Sequence, residues 1–286
     1  MGNKIKEMIS DNQTNTVYLS ARLQSDSRFT AFCNNLTAIL EKHKISYQFL
    51  ENTRDIWCRD YMPVQITENK FIEYTYDPDY LKGEYSYSRS DPSIICRLAG
   101  IETIKTDIVI DGGNVVRYGK KVIMTDKLFL ENPQYTSSEL INKLEALFEC
   151  EIIIIPWDRK YENRYGHADG LVRFIDEKTV LVNDWNGFCV PGEIALKNAL
   201  TSHGLTIKSL KYDVQKRTDK WNWGYLNYLQ LKDLLIIPFF KIEEDNQALD
   251  QFRELFPKDL KIETIDSREI IKKEGVLNCI SWNVKL

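Results

Sequence analysis

The chain has 286 residues, 43% hydrophobic and 28% charged, with a formal charge of −4 and a pI near 5.6. That balance gives no basis for a nucleic-acid partner or an anionic membrane surface, and no apolar run reaches membrane-spanning length. The six cysteines, Cys33, Cys58, Cys96, Cys150, Cys189 and Cys279, form no CxxC pair and no zinc-spaced cluster, so reduced thiols in a cytoplasmic setting are expected.

Residues 1–14 are polar and are expected to be poorly ordered at the start of a single domain spanning 1–286. Residues 16–19 read as a strand. A helix follows on which Phe29, Phe32, Leu36, Ile39 and Leu40 recur at helical spacing, with Ser27 as its cap. Residues 46–50 form a strand, and 64–66 with 71–76 form a hairpin. Residues 77–90, with Tyr80, Tyr85 and Tyr87, are too irregular for an element, and loops this long are often functional. Pro92 opens a short helix that closes before Gly100. A strand over 106–110 leads into Asp111-Gly112-Gly113-Asn114 and a hairpin over 115–118 and 122–125.

Thr136-Ser137-Ser138-Glu139 is a capping box, and its helix should bury Leu140, Ile141, Leu144, Leu147 and Phe148. The run over 151–156 reads as a strand buried on both faces. A hairpin over 171–175 and 180–182 precedes a helix carrying Leu196, Ala199 and Leu200 that ends at Gly204. His43 and His203 sit at helix C-termini, where a cation suits the helix dipole. A strand over 205–210, a hairpin over 221–229 and 234–240, and a helix through Leu249, Phe252, Leu255 and Phe256 follow. A strand over 260–265 and a short helix capped by Ser267 lead to the closing run over 275–282.

This order hides a repeat. Helix, strand, marked turn and hairpin recur, and the marked positions Asp60, Asn114, His167, Asn227 and Cys279 stand 54, 53, 60 and 52 residues apart. Five units of about 55 residues without a linker signal repetition around an axis. Five polar positions distant in sequence would then meet at one centre. Tyr165-Gly166-His167-Ala168-Asp169-Gly170 is the middle corner. In extended chain His167 and Asp169 would share a face, an imidazole beside a carboxylate. Alone, those residues read sooner as a surface turn with a solvated histidine.

Trp57-Cys58-Arg59-Asp60-Tyr61-Met62-Pro63, Asp111-Gly112-Gly113-Asn114, Gly166-His167-Ala168-Asp169, Tyr225-Leu226-Asn227 and Leu277-Asn278-Cys279-Ile280 stand together in a recognisable order. In that order the chain resembles the agmatine deiminase and bacterial-type peptidylarginine deiminase family of the pentein superfamily. The resemblance implies an α/β fold, a pentein propeller of five ββαβ units with pseudo-fivefold symmetry around a central active site. It implies hydrolysis of a guanidinium to a ureido group and ammonia, with no cofactor and no metal. By resemblance Cys279 is the nucleophile, His167 the acid/base, and Asp60 and Asp169 the guanidinium-binding carboxylates. Trp57, Arg59, Asp111, Asn114 and Asn227 are expected to bind substrate.

The partner implied is a small cationic guanidino compound or a peptidyl arginine, and a homodimer stays open. A cation–π contact from Trp57 would suit a guanidinium plane. Asn278 stands where the family usually has a histidine, and no acid follows Gly113 before Gly119. The agmatine, free-arginine and peptidyl-arginine classes therefore all stay open. An amidino transfer, a dimethylarginine-type hydrolysis or a non-catalytic binding scaffold would use the same residues. The expected geometry has His167 and Cys279 flanking one pocket with Asp60 and Asp169 at its floor.

Overall fold

A computed structural model describes residues 7–157, 165–183, 190–215 and 221–286. Its strands are β1 (Thr16–Ser20), β2 (Ser46–Leu50), β3 (Val64–Thr67), β4 (Lys70–Thr75), β5 (Ile104–Val109), β6 (Val116–Tyr118), β7 (Lys121–Thr125) and β8 (Glu151–Ile155). They continue with β9 (Val172–Phe174), β10 (Thr179–Val182), β11 (Thr206–Ser209), β12 (Leu229–Gln230), β13 (Leu234–Phe239), β14 (Lys261–Asp266) and β15 (Ser281–Val284). These form five three-stranded sheets, β3-β4-β5, β6-β7-β8, β9-β10-β11, β12-β13-β14 and β15-β1-β2. In each, an antiparallel pair gains a third, parallel strand reached through a helix, as in β6-β7 followed by Ser137–Phe148 and β8. That is the expected ββαβ unit, five times over.

The fifth unit is split. Its first strand, β15, comes from the C-terminus and pairs antiparallel with β1, Thr16 opposite Val284. The two chain ends thus close the ring by backbone hydrogen bonds, which leaves no unpaired gap between first and last units.

Local chemistry explains the helices. Thr136 and Glu139 form the reciprocal capping box, and Leu140, Leu144 and Phe148 follow at a helical spacing of four, all fully buried. Truncating Phe148 to alanine there would cost about 3–5 kcal/mol. His43 and His203 pair with Glu263 and Glu151, each at 2.7 Å, as edge residues rather than chemistry.

Several expectations change. Residues 7–14 are tied to the fold: Met8 is buried and its N–H donates to the Gly119 carbonyl at 3.0 Å, while that of Ile9 donates to Ile66. Asp11 holds it down by pairing with Arg173 at 2.9 Å. Ser27 does not cap the first long helix, which spans Thr30–Lys42 and starts from Phe29 without a side-chain cap. Ser267 likewise turns its hydroxyl to the Ile265 carbonyl. Residues Asn222–Leu226 form a 3₁₀ turn rather than hairpin, leaving only Leu229–Gln230 as strand. Residues 77–90 contain two 3₁₀ segments, Asp79–Leu81 and Gly83–Ser88. A helix over Lys127–Glu131 had no periodic signal because it is barely one turn long. Among the described residues, no helix is long and apolar enough to cross a membrane.

Candidate active site

Each sheet's first strand is preceded by a tight corner. Cys58–Tyr61, Gly112–Asn114, Ala168–Gly170 and Asn222–Leu226 are single helical turns leading to β3, β6, β9 and β12, and residues 277–280 turn before β15. Adjacent corners touch, the first with the second, the second with the third and the third with the fourth. The marked residues of the repeat ride on these corners. This is why residues far apart in sequence arrive together.

A cavity of about 240 Å³ is lined by Trp57, Asp60, His167 and Cys279, and also by Asp55, Tyr76, Tyr80, Tyr85, Tyr165, Lys273 and Glu274. The corner that carries Asp60 is held from β4: the Tyr74 hydroxyl donates to the Asp60 carbonyl at 2.7 Å and to that of Met62 at 3.0 Å. Gly113 lets the second corner pass beneath, since a Cβ there would lie 2.4 Å from His167 Nδ1 and 3.0 Å from Asp60 Oδ1. Gly275 plays the same part against Trp57, whose Cζ3 would be 2.3 Å from an added Cβ.

His167 sits between two carboxylates, its Nε2 at 3.1 Å from Asp111 Oδ2 and its Nδ1 at 3.7 Å from Asp60 Oδ1. Burial alone would push the imidazole down. The charge of Asp60, the hydrogen bond and charge of Asp111 and the charge of Asp169 outweigh it and lift His167 to about 9. Burial also lifts Asp60 to about 8, opposed by His167 and reinforced by Asp111, Asp169 and Asp55. Asp55 is lifted to about 7 by burial, against the Trp57 N–H and the Arg22 charge. The site holds more carboxylate than cation.

Cys279 is 7% exposed, and its thiol donates to Asp169 Oδ2 at 3.6 Å. Burial, then the charges of Asp169 and Asp60, push it well above the usual thiol range. The Asp169 carboxylate also accepts from Asn278 Nδ2 at 2.6 Å and from Asn227 Nδ2 at 3.1 Å. Asn278, the departure from the family pattern, thus makes a charge-assisted bond to a neighbouring acid.

His167, Asp60 and Cys279 meet at one cavity, as expected. Asp169 departs from the expected floor: it stands behind Cys279 because the 3₁₀ turn Ala168–Gly170 rotates it away from His167. Of the expected substrate-binding residues, Trp57 faces the cavity and the other four do not. Arg59 points to the far side, donating to the Asn278 carbonyl at 3.3 Å and to Asn283. Asp111 backs His167. Asn114 accepts from the Thr125 N–H at 2.7 Å, and the Thr125 hydroxyl in turn fixes the Gly166 carbonyl at 2.6 Å. Asn227 accepts from the N–H groups of Val276 and Cys279 at 3.1 and 3.2 Å, holding the cysteine corner. These residues position the site from behind.

Residue-by-residue reading missed Asp55, Tyr76, Tyr165, Lys273, Glu274 and the buried Lys127. The Tyr-rich stretch 77–90 was the one usable signal, and Tyr80 and Tyr85 from it line the cavity. Among the described residues, no group of three or more His, Cys, Asp or Glu is placed to hold a metal ion.

The family model for Porphyromonas-type peptidyl-arginine deiminase matches residues 2–284. An agmatine deiminase from C. jejuni superposes with a TM-score of 0.75 at 20% identity, covering 97% of this chain and 95% of that one. One from Enterococcus faecalis gives 0.75 at 17% identity with the same coverage. An amidinotransferase of Microseira wollei gives 0.64 at 13% identity, covering 98% and 97%. At these identities the superpositions speak for the fold.

Proposed function

The chain belongs to the Porphyromonas-type peptidyl-arginine deiminase family, and on that premise we propose that it hydrolyses a guanidino group to a ureido group and ammonia through Cys279. The observation that carries this reading is one cavity walled by Cys279, His167, Asp60 and Trp57, in which Asp60 Oδ1 is buried without a hydrogen-bond partner. A buried acceptor beside a surplus of carboxylate favours a planar cation rich in N–H donors. A guanidinium is that cation, and Trp57 offers it a ring face.

The neutral thiol of Cys279 explains why substrate must come first. A guanidinium beside Cys279 and Asp60 compensates their negative charge and lowers both proton affinities, so the thiol proton passes to solvent and the thiolate forms next to its target. The thiolate attacks the central carbon, forming a C–S bond as the C=N electron pair moves to nitrogen. The His167 imidazolium donates its proton to a departing amino group, ammonia leaves, and an S-linked thiouronium remains. Neutral His167 then takes a proton from water as its oxygen adds to that carbon. Collapse forms the C=O, breaks the C–S bond and passes the hydroxyl proton to the departing Cys279 sulfur, which regenerates the thiol and releases the ureido product. Asp111 keeps the ring oriented throughout.

The named C. jejuni and Enterococcus faecalis proteins are agmatine deiminases; a small cationic guanidino compound is the substrate class proposed here. Ammonia and ureido-product release should be followed over agmatine, arginine and peptidyl-arginine for wild type and Cys279→Ala. Equal rates in the two proteins would remove Cys279 as the nucleophile.

A further inference from the structure

Lys127 is 1% exposed, and lysine is almost never buried so fully unless paired. Its Nζ lies 2.9 Å from Asp79 Oδ1 and 3.0 Å from Glu131 Oε1, and it donates to the Tyr165 carbonyl at 2.9 Å. The same ammonium is 3.9 Å from Asp111 Oδ2, the oxygen that lies 3.1 Å from His167 Nε2. It also sits 4.8 Å from the Tyr80 ring centroid and 5.7 Å from that of Trp157. Burial works against the charge, but Asp111, Glu131 and Asp79 outweigh it and hold Lys127 above its ordinary value.

These contacts join parts of the cavity that share no strand. Asp79–Leu81 is one 3₁₀ turn, so anchoring Asp79 also sets Tyr80, which lines the cavity. The Tyr80 ring is 4.8 Å from Tyr165 and 6.2 Å from His167. The Lys127 stem fills the space over Gly166, where a Cβ would approach its Cδ to 2.5 Å. One cation therefore touches the tyrosine wall, the segment that carries His167 and the carboxylate that backs it.

We propose that Lys127 is a positioning residue that clamps the Tyr80 wall onto the Asp111–His167 pair, so that wall docking and His167 protonation are set together. It acts through Asp111 and touches no substrate. The proposal rests on His167 being the acid/base of the deimination. The carboxylates facing His167 are Asp60 and Asp111, Asp169 acts on it by charge from behind Cys279, and Tyr80 and Tyr165 are ring neighbours. Those facing Lys127 are Asp79, Asp111, Glu131 and Tyr80. Removing the ammonium leaves only acids around Asp111 and His167, which favours the imidazolium.

The test compares wild type, Lys127→Met and Lys127→Arg by histidine-selective NMR titration and by turnover. The chain has three histidines, and His167→Gln assigns the resonance. Lys127→Met should raise the His167 titration by about one unit and lower kcat/KM at least tenfold; Lys127→Arg should restore at least half of the titration shift. A folded Lys127→Met whose His167 titrates within about 0.2 unit of wild type overturns the proposal. Should Lys127→Met fail to fold, Asp79→Asn, at a 56% exposed side chain, loosens the wall alone. It should raise KM about fivefold with kcat within twofold, and an unchanged KM overturns the clamp. Wild type without turnover on any guanidine would sink the proposed function and leave the NMR titration to decide the clamp.

Discussion

Asp60 offers the most direct test of the electrostatics, because its held proton must leave before a guanidinium can bind. With Asp60 lifted to about 8, about nine-tenths of the molecules at pH 7 carry that proton. Only the ionised carboxylate compensates the ligand, so affinity should rise about tenfold per pH unit below 8 and level off above it. From pH 6 to 8 the ionised fraction rises about fiftyfold, or about 2.3 kcal/mol at 1.36 kcal/mol per tenfold. Asp55, held at about 7 in the same cavity, steepens the slope below 7. Asp111 and Asp169 hold the His167 charge together with Asp60, so the imidazolium persists where Asp60 is protonated and tightens as Asp60 ionises. Calorimetry of a guanidine binding to Cys279→Ala, which removes turnover and the thiol proton, reads affinity and proton release together. At pH 7 about one proton should leave from Asp60 and about half of one from Asp55 per ligand, and Asp60→Asn should abolish the first release and the slope above pH 7 while leaving the Asp55 contribution below it. A dissociation constant constant within twofold between pH 6 and 8 would refute the reasoning.

Cys279, held neutral by burial and by Asp169 and Asp60, should react slowly with neutral iodoacetamide and at least tenfold faster with a cationic haloacetamidine; equal rates in a mass-spectrometric time course would count against substrate-assisted ionisation. Replacing Asn227 by alanine strands the N–H groups of Val276 and Cys279 and removes a bond to Asp169. Urea denaturation should show a loss of about 2–5 kcal/mol, with kcat falling more than tenfold. At the far end of the axis Asp11 lies among Arg173, Arg59 and Arg117, whose charges overcome the upward push of burial and keep its carboxyl below the usual range. A depressed carboxylate stabilises above its unfolded value near 3.9 and loses that contribution as pH falls through its folded value. Asp11→Asn should therefore cost about 3–5 kcal/mol at pH 7 and shrink the difference from wild type below about pH 4, both read by chemical denaturation. Asp60 and His167 act in the opposite sense: both folded values are raised, so their contributions favour folding at low pH and fade as pH rises through about 8 and 9. Apo stability should fall from pH 6 to 9, and a bound guanidine should flatten the fall by restoring the missing cation.

Much of the fold was readable along the chain because each unit carries its own local signals. The capping box at Thr136, the Leu140-Leu144-Phe148 stripe and the turn before β6 depend on near neighbours, and the structure keeps them. The near-constant spacing of Asp60, Asn114, His167, Asn227 and Cys279 places five corners at one centre by chain length. Where propensity is weak the reading failed: the one-turn helix Lys127–Glu131 and the 3₁₀ turn Asn222–Leu226 are set by packing, not periodicity.

Which side of a corner a residue faces is a tertiary decision. Arg59 and Asp60 are adjacent, yet Asp60 enters the cavity while Arg59 crosses to Asn283. His167 and Asp169 share a motif, yet the turn between them sends one to Asp111 and the other to Asn278 and Cys279. That Asp60, His167 and Cys279 reach one cavity is thus written in the linear pattern, because the repeat spaces them by chain length; the roles proposed for them come from the family resemblance. Their charge states, the supporting roles of Asp111, Asn114 and Asn227, and the clamp at Lys127 come from burial and from contacts between units. Those effects arise only where water is excluded and distant segments close on one another, and no local stretch of chain encodes that.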